Sequence, residues 1–95
     1  MRVQWTPQAT EDLQAIYDYI GRDSPKYAAL VVERIISAVD TLEQFPLAGR
    51  SVPEHARDDV RELVRPPYRI VYRVLEDGIH IATVFRSSRL IPDLP

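Results

Sequence analysis

Cysteine is absent from the 95 residues, which excludes a disulfide scaffold, a thiolate metal site and a cysteine nucleophile together. Long apolar runs are missing as well. The longest, Tyr27–Val32, has six residues, against the ~20 that span a bilayer. The opening stretch Met1-Arg2-Val3-Gln4-Trp5-Thr6-Pro7 has no apolar core of the signal-peptide kind. A basic excess is lacking too. The net charge is −2 and the pI about 5.6, whereas a domain that grips nucleic acid with its whole surface usually has a pI above ~9. Lysine is almost unused, with Lys26 the only one among 12 basic residues. No internal repeat, linker or low-complexity stretch appears, and no motif calls for a metal or cofactor. These absences predict a soluble, cytoplasmic protein with one domain over residues 1–95 and no membrane segment.

What is present is ordinary globular composition, 45% apolar and 27% charged, which argues against disorder. Residues 1–48 carry four basic and seven acidic side chains, net −3, while residues 49–95 carry eight and seven, net +1. Arginine is the better residue for bidentate capture of carboxylate or phosphate. The second half is therefore where binding is expected.

Arg2–Trp5 reads as a short strand. Thr6-Pro7 follows as a helix cap with proline at the first helical position. Ala9, Leu13, Ile16, Tyr17 and Ile20 form one apolar stripe, which Gly21 closes. Asp23-Ser24-Pro25 repeats the cap signal. The second stripe is Ala28, Val31, Val32, Ile35, Val39, Leu42 and Phe45, ended by Pro46 and Gly49. The short joint implies an antiparallel helical hairpin. Residues 49–59 read as a loop, Val60–Arg65 as a strand ended by Pro66-Pro67, and Tyr68–Glu76 and Ile79–Arg86 as a hairpin turning at Asp77-Gly78. The fold class is α+β: a short amino-terminal strand, an antiparallel helical hairpin and a three-stranded antiparallel meander packed on the helices.

A turn centred on Asp77-Gly78 places Val71 opposite Val84, Arg73 opposite Ala82 and Arg69 opposite Arg86. Alternation then puts Tyr68, Ile70, Tyr72, Val74, Ile79, Ile81, Thr83 and Phe85 on the face toward the helices. Arg69, Val71, Arg73, Leu75, His80, Ala82, Val84 and Arg86 fall on an open face. Like charges across strands cost about a few tenths of a kcal/mol, so an acid should relieve Arg69 and Arg86. Glu62 is the internal candidate, provided Leu63 faces the core. Phosphate or a partner's carboxylates are the external ones. Arginines around an apolar floor of Val71, Leu75, Ala82 and Val84 have the character of an interface, although solvated arginines on an open sheet would look the same.

Other residues read more plainly. His80 beside the turn is a solvated histidine before it is a general base, and His55 has no evident partner. Tyr68 and Tyr72 pack in the core, and Trp5 anchors the first strand. Arg50 satisfies a carbonyl or an acid near the loop, and Arg61 and Glu62 are a candidate ion pair.

Trp5-Thr6-Pro7 with Ala9, Leu13-x-x-Ile16-Tyr17-x-Tyr19-Ile20, Ser24-Pro25, Phe45-Pro46-x-x-Gly49-Arg50, Arg61-Glu62-Leu63, Tyr68-Arg69-Ile70-Val71-Tyr72-Arg73-Val74 and Arg89 come in this order along nearly the whole chain. Together they resemble the RelE/ParE superfamily of bacterial toxin–antitoxin toxins. The resemblance implies a strand, helical hairpin and antiparallel sheet. It also implies a cognate antitoxin whose carboxy-terminal segment wraps the toxin, with operator DNA met only through that antitoxin.

The superfamily has two branches, ribonucleases that cut messenger RNA in the ribosomal A site and poisons of DNA gyrase. The ribonuclease branch places lysines and arginines on the open sheet face. Here Val60 and Glu62 stand in the slots resembling those lysines, and Asp93, four residues past Arg89, stands in the place the resemblance gives to a catalytic tyrosine. The gyrase-poison branch is therefore favoured, acting by binding without a catalytic residue. Its partner and target contacts are expected at Arg69, Arg73, His80, Arg86, Arg89, Val71 and Val84. The alternatives are a ribonuclease using Arg69, Arg86, Arg89 and His80, and a harmless relative that survives as co-repressor with its antitoxin.

Overall fold

The computed structural model describes residues 1–55 and 57–87. Strand β1 (Val3–Trp5) leads into α1 (Pro7–Gly21) and α2 (Pro25–Asp40), and a short 3-10 turn (Thr41–Glu43) follows. Strands β2 (Arg50–Ser51), β3 (Val60–Arg65), β4 (Tyr68–Leu75) and β5 (Gly78–Arg86) complete the chain. Both helices start as their sequence signals dictate. The Thr6 hydroxyl accepts from the Ala9 amide at 3.1 Å, and that of Ser24 accepts from the Tyr27 amide at 3.2 Å. Each satisfies an amide that the first helical turn leaves without a partner.

The meander forms the middle of a five-stranded sheet in the order β1-β5-β4-β3-β2. Strand β1 pairs in parallel with β5 over Val3–Trp5. Parallel strands need a long crossover, and the chain between these two supplies it through the helical hairpin followed by β2, β3 and β4. Two-residue β2 pairs antiparallel with β3 at the other edge, inside a segment whose sequence reads as loop.

One face of the sheet packs on the helices. Val31, Ile35, Val39 and Leu42 of the hairpin and its 3-10 turn meet Leu63, Tyr68, Ile70, Tyr72, Ile79, Ile81 and Val84. Trp5 packs against this core from β1. Phe45, expected at the end of the second stripe, lies outside it and is 62% exposed. The helix ends at Asp40 and the 3-10 turn at Glu43, so the helical spacing that assigned Phe45 to the stripe no longer holds there.

The hairpin register differs from the sequence expectation in two steps. Leu75 pairs with Gly78, Val74 with Ile79 and Arg73 with His80, so the turn residues are Glu76 and Asp77. Gly78 has φ +136°, and a Cβ there would collide with the Arg2 carbonyl. Glycine is needed at this position for the close approach of β1, beside the turn rather than inside it. The register then shifts at Val71/Tyr72. Tyr72 lies opposite Ile81 and Val71 opposite Thr83, leaving Ala82 as the extra residue of a bulge. Beyond that bulge every side chain of β5 changes face. Val84 therefore joins the core against the helices, and Phe85 joins a second cluster with Val52, Val60 and Val71 on the opposite side. Arg69 lies opposite Phe85, and Arg86 opposite Tyr68. The two arginines do not face each other.

Candidate functional site

The sheet face away from the helices is not open. Residues 52–55 and 57–59 lie over it, with Val52 closing the second apolar cluster and Glu54 and Asp59 reaching Arg69 and Arg73. Val71 is fully buried there, and Val84 is buried on the opposite face. Neither supplies the exposed apolar floor that their alternation predicts.

Arg69 is the centre of the covered face and is 8% exposed. Its Nε donates to Glu62 Oε2 at 2.6 Å. Nη1 and Nη2 donate to the two oxygens of Glu54, each at 2.9 Å. The guanidinium lies 5.2 Å from the centroid of Phe85. The hydrogen bonds it donates to Glu54, then those to Glu62 and the charge of that carboxylate, push the guanidinium pKa above its ordinary value, although burial opposes the shift. Glu62 is fully buried and also accepts from Arg50 Nε at 2.7 Å. The sequence expectation that Glu62 faces Arg69 while Leu63 faces the core is met. Arg50 finds its acid there. Arg61 forms no ion pair with Glu62; it donates to the Gly49 carbonyl at 2.9 Å.

Toward the turn, Arg73 keeps partial exposure and approaches Asp59 at 3.4 Å. Arg57 holds the same carboxylate at 2.8 Å. The Arg57 hydrogen bonds are the main cause of an Asp59 pKa below the ordinary value. His80 pairs across the strand with Arg73 and lies 3.3 Å from Asp77. Arg86 sits at the far end of β5, its guanidinium 5.9 Å from the Tyr68 ring. His80 and Arg86 are six positions apart on one strand, or about 20 Å at ~3.3 Å per residue. Arg89 lies outside the described residues.

The structure thus brings Arg73 and His80 together, spends Arg69 on two carboxylates and sends Arg86 to the other end of the sheet. Sequence reading did not find Glu54 or Asp59. They stand in a polar loop whose spacing carries no period, so nothing local announces that they reach the sheet.

A second surface was also missed. Between α2 and the β3–β4 turn runs a groove of about 510 Å³, bounded by Tyr27, Leu30 and Arg34 on the helix and by Arg65, Pro66 and Tyr68 on the sheet. Of its lining residues, 27, 30, 34 and 37 of α2 and 41 of the 3-10 turn recur at steps of three and four, beside Glu33 and the buried Val31, Ile35 and Ala38. That spacing was legible, but Arg34, Ser37 and Thr41 kept it from scoring as apolar. Among the described residues, no three His, Asp or Glu side chains converge as a metal site would need. No helix among them is long and apolar enough to cross a membrane.

A family model described as the ParE toxin of the type II toxin–antitoxin system parDE matches residues 3–91. The chain is 41% identical over 90 residues to Toxin RelE2 of Caulobacter vibrioides, covering 94% of this chain and 98% of that protein. It is 40% identical over 95 residues to Putative toxin Y4kP of Sinorhizobium fredii, covering 98% and 95%. Among solved structures, the chromosomal ParDE toxin–antitoxin system from P. aeruginosa matches with a TM-score of 0.74 at 34% identity, over 90% of this chain and 95% of that one. The toxin–antitoxin complex RelBE2 from Mycobacterium tuberculosis matches at 0.56 and 24% identity over 88% and 94%, a likeness of fold alone.

Proposed function

The chain belongs to the ParE toxin family of type II toxin–antitoxin systems, and from that premise we propose that it stops growth by binding DNA gyrase rather than by cutting RNA. It is a toxin component, with a cognate antitoxin as its partner.

The observation that carries the gyrase reading is the dispersal of the residues a ribonuclease would need. Metal-free RNA cleavage requires a base at the 2′-hydroxyl, an acid at the leaving oxygen and a cation at the phosphorane, all within a few ångströms of one phosphate. Arg69 is committed to Glu54 and Glu62 beneath the loop. His80 and Arg86 are about 20 Å apart along β5, too far to share a phosphate. What remains accessible is a set of cations suited to a protein or phosphate surface: Arg73 beside His80, and Arg86 at the opposite end. With Arg89, which follows the resemblance, these are the target contacts. Arg69, Val71 and Val84 support that surface from inside.

The competing reading, a ribosome-dependent ribonuclease, is favoured by 41% identity to a relative named Toxin RelE2. The experiment that separates them is titration of the purified chain into a gyrase supercoiling assay, beside mapping of transcript ends after induction in cells. Loss of supercoiled product, or trapped cleaved DNA, supports the gyrase reading. Unchanged supercoiling at large excess, with transcripts cut at codon boundaries, overturns it.

A further inference from the structure

Phe45 and Leu47 flank Pro46 in the turn between the 3-10 turn and β2, and each leaves 62% of its surface in water. Among the described residues only Tyr19 is a more exposed large hydrophobic, and Tyr19 has a hydroxyl to hydrate and the Arg22 guanidinium over its ring. Phe45 and Leu47 have no polar atom in their side chains. Holding them outward adds nothing to stability, yet the backbone that holds them is firmly fixed. The Ala48 amide donates to the Phe45 carbonyl at 3.0 Å and closes a β-turn, with Pro46 at the position where a preset φ favours it. The Phe45 amide donates to the Thr41 carbonyl at 3.0 Å.

The sheet ties down the inner side of the same turn. The Tyr72 hydroxyl donates to the Pro46 carbonyl at 3.0 Å and accepts from the Gly49 amide at 2.8 Å. Arg61 Nη1 donates to the Gly49 carbonyl at 2.9 Å, and a Cβ at Gly49 would collide with Tyr72 and the Glu62 carbonyl. The order that a partner would otherwise have to impose is already in place, which lowers the cost of binding. Shape decides what kind of partner fits. A turn with both side chains outward is convex and needs a concave receiver. A segment that wraps lies in grooves and offers no pocket of its own, whereas a folded partner does. In the reading above, that folded partner is gyrase. Arg50, three residues beyond Leu47, marks the rim of the contact. Its side chain is 65% exposed and uses only Nε, toward Glu62, so among the described residues its two Nη groups are left to meet an outside acid.

We propose that the Phe45-Pro46-Leu47 turn is a target-binding knob, with Phe45 seated in an apolar pocket of gyrase and Arg50 opposite a carboxylate at the rim of that pocket. Phe45 is the main anchor, since aromatic side chains are enriched at the centre of interfaces, and Leu47 is the lesser one. The proposal rests on the gyrase reading and adds an apolar anchor to the cations named there.

The test titrates the full chain, released from the antitoxin with which it is copurified, into purified gyrase and reads supercoiling. Phe45→Ser should weaken inhibition at least about tenfold, as loss of a central anchor does, and Phe45→Ser/Leu47→Ser should weaken it further. Leu47→Met keeps the tip apolar, and Tyr19→Ser removes an exposed ring elsewhere; each should stay within about threefold. Antitoxin affinity should stay within about threefold in all four variants, and their melting temperatures should not fall, since the side chains removed lie outside the core. Full inhibition by the double variant, folded and antitoxin-bound like the parent, overturns the proposal. An equal loss in Tyr19→Ser overturns it too, by tracing the effect to surface apolarity in general. A matching loss of antitoxin affinity would assign the turn to the antitoxin, and self-association of the parent that the double variant abolishes would assign it to a second copy; either overturns the proposal. Hydrogen exchange needs no variant. Protection of residues 44–49 when gyrase is added to the unmutated toxin supports the knob, and protection confined to other elements overturns it. A parent toxin that leaves supercoiling unchanged overturns the gyrase reading and the proposal together, whereas failure of the proposal alone leaves inhibition by the parent intact.

Discussion

The Nε of Arg69 donates to the Oε2 of Glu62 at 2.6 Å, where the side chain of Glu62 is fully shielded from water and that of Arg69 nearly so. The pair ties the two central antiparallel strands together on the face away from the helices. It also seats residues 50–54, because Arg50 reaches the same glutamate and Glu54 reaches the same arginine. A buried ion pair adds little over a well-packed apolar pair, but breaking one partner leaves the other charged and dry.

Glu62→Ala should therefore destabilise the chain by about 3–5 kcal/mol, a large fraction of what a small domain has. A Glu62→Met/Arg69→Met double variant should recover most of that loss. Urea titration of the three proteins checks both statements. Equal losses in the single and double variants would show that the pair does not act as a unit.

Tyr72 makes the second prediction. Its hydroxyl accepts from the Gly49 amide at 2.8 Å and donates to the Pro46 carbonyl at 3.0 Å, and burial raises its pKa. Tyr72→Phe should cost about 1–3 kcal/mol, since the Gly49 amide loses its partner. Gly49→Ala should cost more, because the added Cβ would sit 2.5 Å from the Tyr72 hydroxyl and 2.6 Å from the Glu62 carbonyl. Tyr72→Phe should not rescue Gly49→Ala, since the backbone clash remains. Thermal melts of the three variants decide it.

Asp12 of α1 closes the edge of β5 where β1 has ended. Its Oδ2 accepts from the Thr83 hydroxyl at 2.5 Å and from the Val84 amide at 3.0 Å. Asp12→Ala should destabilise by about 1–3 kcal/mol and speed hydrogen exchange at the Val84 amide selectively. An unchanged exchange rate at that amide would show that water replaces the carboxylate freely.

Asp59 carries the pH dependence. Its carboxyl pKa is held below the ordinary value chiefly by Arg57. Its contribution to stability is therefore complete above the ordinary carboxyl range and is lost as pH falls through the lowered value. An NMR titration of the Asp59 carboxyl should show a midpoint below that of an aspartate in a peptide, and Arg57→Ala should move it up. A midpoint that ignores the Arg57 substitution would assign the shift elsewhere.

Local chemistry determined much of this protein from its sequence. Thr6-Pro7 and Ser24-Pro25 set where the helices start, because a capping oxygen and a proline act within one turn. The alternation of Val60–Arg65 put Leu63 and Glu62 on opposite faces, because a strand has a period of two, and the structure shows Leu63 on the face toward the helices. Motif order along the chain carried the family.

Tertiary structure alone decided the rest. The bulge at Ala82 is invisible to alternation, yet it moved Val84 into the core and Phe85 onto Arg69, because one extra residue reverses every side chain beyond it. Glu54, which joins Glu62 on Arg69, and Asp59, which meets Arg73, come from a loop with no period, brought there by closure of the chain and not by spacing. The row at 27, 30, 34, 37 and 41 was written in the sequence all along. That it borders a groove depended on where the β3–β4 turn came to rest beside it, since a groove needs two walls and the sequence of a helix supplies only one.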